Sequence, residues 1–140
     1  MTSPIPFRLR DIDHVVIRTR NLAAIERFYR DVLGCSEERR QEKIGLIQLR
    51  AGRSLIDIVP VDSELGRVGG PPPSEAGRNM DHLCLRIEPF DVDAIRAHLA
   101  RHGVEVGPPT MRYGAEGEGL SMYVQDPDGN TVELKGPPAT

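Results

Sequence analysis

Residues 12–19 read IDHVVIRT and residues 80–87 read MDHLCLRI, so an apolar residue, Asp, His, three apolar residues and Arg occur twice. The histidines, His14 and His82, stand 68 positions apart in a chain of 140 residues. A repeat of that period narrows the folds open to the chain. A unit of about 70 residues buries too little surface to stand comfortably alone, whereas the whole length can bury about two thirds of its unfolded surface. The two copies are therefore expected to pair within a single domain spanning residues 1–140.

The order of elements also repeats. DHVVIR is short and β-branched, which predicts a strand. After Asn21, an N-cap residue, Leu22, Ile25, Phe28, Tyr29, Val32 and Leu33 recur at helical spacing, with Gly34 as the stop. Three short strands are expected near residues 35–40, 44–50 and 54–59, the last two joined by a hairpin turn at Ala51-Gly52-Arg53. Residues 61–79, VDSELGRVGGPPPSEAGRN, are rich in Gly and Pro and read as a linker that could also serve as a lid. DHLCLRI then predicts a strand and PFDVDAIRAHLARHG a helix ended by Gly103. Strands follow near 104–106, 120–125 and 131–135, and DPDGN forms the last turn. The pattern is βαβββ twice, with an N-terminal module over 9–60 and a C-terminal module over 80–136.

The final strands match as well. SLIDIVP carries Asp57 where NTVELKGP carries Glu133, so each half offers a His on its first strand and an acid on its last. Apolar neighbours on both sides of each histidine predict strands covered on both faces, with the imidazoles shielded from water. A buried imidazole without a partner costs about 1–3 kcal/mol. Pairing about a pseudo-twofold axis would bring both histidines and both acids together, and imidazole nitrogen with carboxylate oxygen suits a divalent ion such as Zn, Ni, Fe or Mn. His98 and His102 share a helix face but have no acid placed with them; they read as surface residues favoured by the helix C-terminus.

A net charge of −3 with acids and bases intermixed excludes a nucleic-acid-binding face, and no 18-residue apolar span is available for a membrane. The opening MTSPIPFRLR lacks the apolar run of a signal peptide, so a cytoplasmic location is expected. Cys35 and Cys84 have no CxxC spacing and read as small buried apolar residues.

The paired βαβββ units, the two DH dipeptides and above all SMYVQDPDGNTVEL resemble the vicinal oxygen chelate superfamily, which includes glyoxalase I, extradiol dioxygenases and bleomycin-resistance proteins. The resemblance runs from Asp11 to about Gly136. It implies an α+β fold in which two modules form a cupped, barrel-like mixed sheet with helices outside. It also implies a divalent metal held by His14, His82 and Glu133, with Asp57 as a fourth ligand or as a base. Homodimers are usual in such a family.

The resemblance further implies a small-molecule substrate that chelates the metal through two adjacent oxygens. A lyase or isomerase of glyoxalase type is the first expectation, with Glu133 and Asp57 as candidate bases and Tyr123 facing the substrate. An extradiol dioxygenase is the second. Met122, Tyr123, Asp126, Pro127, Gly129 and Glu133 satisfy the later part of that enzyme's signature, but its histidine would fall at Gly114, Ala115 or Glu116. A drug- or metabolite-binding protein of bleomycin-resistance type is the third. Anionic parts of a ligand would fall to Arg18, Arg86 or Arg112, the last placed in a loop.

Overall fold

The computed structural model describes residues 4–139. β1 (His14–Thr19), β2 (Ser36–Gln41), β3 (Leu46–Ala51) and β4 (Ser54–Pro60) form one sheet in the order β1-β4-β3-β2. β5 (Leu83–Arg86), β6 (Thr110–Gly114), β7 (Gly117–Gln125) and β8 (Thr131–Lys135) form a second in the order β5-β8-β7-β6. Each first strand runs parallel to the last strand of its half, and the remaining pairs are antiparallel. The fold is α+β with two cupped mixed sheets, and the sheets do not close into a barrel.

The first helix begins as expected, with the Asn21 carboxamide oxygen accepting from the Ala24 N–H at 3.1 Å. It is α-helical only over α1 (Leu22–Arg27) and continues as a π-helical turn over Phe28–Val32. The wider turn lets Phe28, Tyr29 and Val32 all reach the core, where each is buried. α2 (Glu64–Val68) lies inside the 61–79 segment expected to be a linker or lid, capped by the Ser63 hydroxyl accepting from the Gly66 N–H at 3.1 Å. The three prolines follow this helix and do not oppose it. α3 (Val92–Arg101) starts after Asp91, whose carboxylate accepts from the Ala94 N–H at 3.0 Å.

The expected strand at 104–106 is absent, and β6 occupies Thr110–Gly114 in what was expected to be a loop. Pro108 and Pro109 remove two donors just ahead of it, so regular pairing starts only at Thr110, opposite Ser121. Gly117, at φ 118°, completes the tight return through Ala115-Glu116.

Residues of both halves share one core. Ile17, Ile25, Leu49, Ile56 and Ile58 from the first half pack in one cluster with Leu99, Val124, Val132 and Leu134 from the second. The DPDGN turn ties the halves together through buried Asp126. Its Oδ1 accepts from the N–H groups of Asp128 and Asn130, both at 2.9 Å. Its Oδ2 accepts from the Asn130 amide at 2.8 Å and from the Tyr29 hydroxyl at 2.8 Å. His98, expected at the surface, is half-buried, with Nε2 2.7 Å from the Val32 carbonyl. Its ring meets the exposed His102 at 4.8 Å. Among the described residues, no helix is long and apolar enough to cross a membrane.

Asp126→Ala removes the acceptor of four hydrogen bonds at a buried turn and should cost about 3–5 kcal/mol, whereas Tyr29→Phe removes one donor and should cost about 1–2 kcal/mol. Urea denaturation at a fixed protein concentration measures both; equal losses would contradict the central place given to Asp126.

Candidate functional site

Side-chain alternation turns Ile17 and Thr19 of β1 into the core and leaves His14, Val16 and Arg18 on the opposite face. That face is open: the His14 and His82 side chains are 45% and 38% exposed, so the expectation of shielded histidines is corrected. β1 and β5 are edge strands of their sheets.

The first half places His14 Nε2 3.9 Å from Asp57 Oδ2, and the second places His82 Nε2 3.2 Å from Glu133 Oε1. Each imidazole is oriented by the residue before it. His14 Nδ1 lies 2.7 Å from Asp13 Oδ1, and His82 Nδ1 lies 2.7 Å from Asp81 Oδ1. A carboxylate can only accept, so Nδ1 donates to the preceding aspartate, which fixes the ring with Nε2 as the nitrogen that faces the buried acid. This is the physical content of the repeated DH dipeptide. The Asp13 hydrogen bond, aided by the Asp57 charge, raises the His14 pKa above its ordinary value.

The two acids differ. Burial alone would push the Glu133 carboxyl up. Hydrogen bonds from the Ser121 hydroxyl at 2.6 Å and the Tyr123 hydroxyl at 3.2 Å, with the charges of His82 and Lys135, outweigh it and hold the group below its ordinary range. Asp57 is equally buried but accepts only from the Gln48 amide, at 3.3 and 3.4 Å. Gln48 stands opposite Asp57 as Tyr123 stands opposite Glu133, so the halves share a plan and differ in chemistry.

Sequence reasoning missed Ser121 and Lys135. The buried Lys135 ammonium donates to the carbonyls of Arg112 at 2.6 Å and Gly119 at 3.3 Å. Both residues lie two positions from a singled-out residue, Tyr123 and Glu133, so strand alternation was the signal that could have found them. Gly114 leaves the space that the Lys135 side chain crosses. Cys84, expected to be buried, is exposed beside Glu133; partial burial and that carboxylate push its thiol pKa up to about 11. Cys35 is buried.

The arginines separate by occupation. Arg18 donates to the carbonyls of Gly66, Gly70 and Pro71, pinning the connecting segment. Arg86 pairs with Glu116 at 2.7 Å. Arg112 lies on β6, not in a loop, with its guanidinium 5.8 Å from the centre of the Tyr123 ring and no acid partner among the described residues.

Among the described residues, no three His, Cys, Asp or Glu side chains gather into a cluster able to hold a metal. The four candidate ligands thus form two separate pairs on two sheets. Each pair supplies an imidazole nitrogen and a carboxylate oxygen, a donor set suited to a borderline divalent ion, and two pairs together complete a four-donor set. A cavity of about 660 Å³ lies on the helix side, between Phe28, Val104 and Gln125, and includes neither pair.

A family model described as Glyoxalase/Bleomycin resistance protein/Dioxygenase superfamily matches residues 11–134. Virulence protein STM3117 of Salmonella typhimurium is 31% identical over 126 residues, covering 88% of this chain and 81% of that protein. Its crystal structure superposes with a TM-score of 0.78 at 25% identity, covering 94% of this chain and 99% of that one. The glyoxalase domain-containing protein RDO1 of Mycosarcoma maydis is 32% identical over 130 residues, covering 90% of this chain and 68% of that protein. The crystal structure of lactoylglutathione lyase from Agrobacterium tumefaciens has the same fold, with a TM-score of 0.65 at 24% identity, covering 90% of this chain and 92% of that one.

In metal-free protein, the His14 imidazole should titrate above the ordinary value of 6.5, and Asp13→Asn should bring it down. The sign follows from a raised folded pKa: the small stabilisation it provides is present below 6.5 and fades as pH rises through the folded value. Imidazole proton NMR reads the midpoint, and an unchanged midpoint in Asp13→Asn would remove the orienting role given to Asp13.

Proposed function

The chain belongs to the glyoxalase/bleomycin resistance protein/dioxygenase superfamily, and from that premise we propose a metal-dependent lyase or isomerase of glyoxalase type, working as a homodimer. The observation that carries this reading is the pair of half-sites. His14 with Asp57, and His82 with Glu133, present complementary donors on open faces of edge strands, yet among the described residues one chain does not bring them together. A twofold-related copy supplies the missing half: His14 and Asp57 of one chain face His82 and Glu133 of the other, giving two equivalent centres per dimer.

When bound, a divalent ion would be held by these four side chains and would supply Lewis-acid stabilisation of negative charge on one of two adjacent substrate oxygens. The chain's own residues divide the remaining work. Glu133, held ionised by Ser121, Tyr123 and the Lys135 charge, is suited to permanent ligation and poorly suited to taking up a proton. Asp57, farther from its histidine and held only by Gln48, is the better candidate base for a proton alpha to a carbonyl. Arg112, poised over Tyr123, is the cation available to an anionic group of the substrate; Arg18 and Arg86 are already engaged.

Two other activities within the superfamily fit less well. A ring-cleaving dioxygenase would need a histidine at 114–116, but Gly114 is where the Lys135 side chain passes, so a side chain there would collide with it. A sequestering protein would have no use for two oriented His–acid pairs. A cytoplasmic location suits the two free cysteines.

Protein purified without chelator should carry about one divalent ion per chain by elemental analysis, and Asp81→Asn, which frees the His82 ring, should weaken metal affinity by about 10–100-fold with the fold intact. Catechols should elicit no oxygen uptake. Full metal retention by His82→Ala would overturn the assignment.

A further inference from the structure

The segment before β1 is an apolar arm with nothing over it. Ile5, Phe7, Leu9 and Ile12 are 74%, 69%, 88% and 79% exposed. Ile5, Phe7 and Leu9 alternate with Pro6, Arg8 and Arg10, the period of an extended strand with one apolar side. The arm is anchored only at its end, where the Ser54 hydroxyl donates to the Ile12 carbonyl at 2.9 Å and Arg53 pairs with Asp11 at 3.4 Å.

The molecule also has a groove without an occupant. It has a volume of about 520 Å³ and runs beside the free edge of β5, with Leu85 and Ile87 on one side, Cys35 and Ala51 on the other, and Arg50, Arg53 and Arg86 at its polar margin. The repeat shows what fills the equivalent place in the other half. Asn79, 68 positions after Asp11, lies against the end of β1, accepting from the Arg18 N–H at 3.2 Å and donating to the Arg18 carbonyl at 3.1 Å. It also donates to Asn130 at 3.1 Å. The segment ahead of one repeat's first strand thus satisfies the edge of the other's. Beside β5 that covering is missing.

We propose that residues 5–12 of one copy lie as an added strand in the groove beside β5 of the other copy. This rests on the half-site pairing above. If His14 meets the partner's His82 with the two unlike halves related by a local pseudo-twofold, β1 and the partner's β5 leave that point antiparallel, and the arm runs along the partner's Leu85–Glu88. Main-chain groups of the arm then pair with the open β5 edge, and Ile5, Phe7 and Leu9 turn toward the apolar part of the groove at Leu85, Ile87, Cys35 and Ala51. The exchange is reciprocal, so both arms and both grooves are used.

The test mixes two chains, each carrying Cys35→Ala and Cys84→Ala, one with Leu9→Cys and the other with Glu88→Cys. Mild oxidation should give a covalent dimer from the mixture and little from either chain alone. Deleting residues 1–10 from the natural sequence should raise the dimer dissociation constant at least tenfold by sedimentation. A metal-loaded dimer that forms no cross-link, and whose dissociation constant survives the deletion, would overturn the arm exchange and leave the half-site pairing standing. A metal-loaded monomer would overturn both.

Discussion

Alternation along two edge strands is the constraint on which the rest of the molecule depends. With Ile17 and Leu85 directed at the common core, His14 and His82 have no choice but the opposite, open face. A slip of one residue in either strand would bury an imidazole and expose an aliphatic side chain. The same alternation on β4 and β8 brings Asp57 and Glu133 to those faces, and the parallel pairing of β1 with β4 and of β5 with β8 places each acid within reach of its histidine.

Duplication set the plan, and the two copies then diverged in electrostatics. The C-terminal half surrounds its acid with a hydroxyl, a phenol and a buried ammonium; the N-terminal half offers one carboxamide. One methylene separates Glu133 from Asp57, and the distance to the histidine is correspondingly 3.2 Å in one half and 3.9 Å in the other. In the proposed centre, assembled from unlike halves, Glu133 would be the firm side for holding an ion and Asp57 the looser side for moving a proton. Symmetric halves could not divide the work in that way.

Much of this was legible in the residues. The DH repeat, the matched final strands and DPDGN located the edge strands, the acids and the last turn, because pleat period and turn chemistry are local. β6 was not legible: it is short, lies between two prolines and a glycine-rich turn and leaves Met111 and Tyr113 exposed, and only pairing with β7 makes Thr110–Gly114 a strand. The π-helical turn at Phe28–Val32 follows from the need to bury three side chains at once, which periodicity in one segment does not reveal. Nor does sequence tell which face of a strand the rest of the chain leaves bare, so the histidines read as buried when they are open. Lys135 and Ser121 were hidden for a related reason, since their importance comes from a neighbour across the sheet.

The central claim is that one centre is built from two chains, and mixing inactive chains tests it most directly. His14→Ala damages every N-terminal half-site and His82→Ala every C-terminal one, so neither protein alone has an intact centre. If the halves come from different chains, each mixed dimer has one centre lacking both histidines and one fully intact. Tight metal binding should then return to about a quarter of the wild-type sites after free exchange of subunits. A mixture that binds no more metal than either variant alone would place all four ligands on one chain and contradict the account.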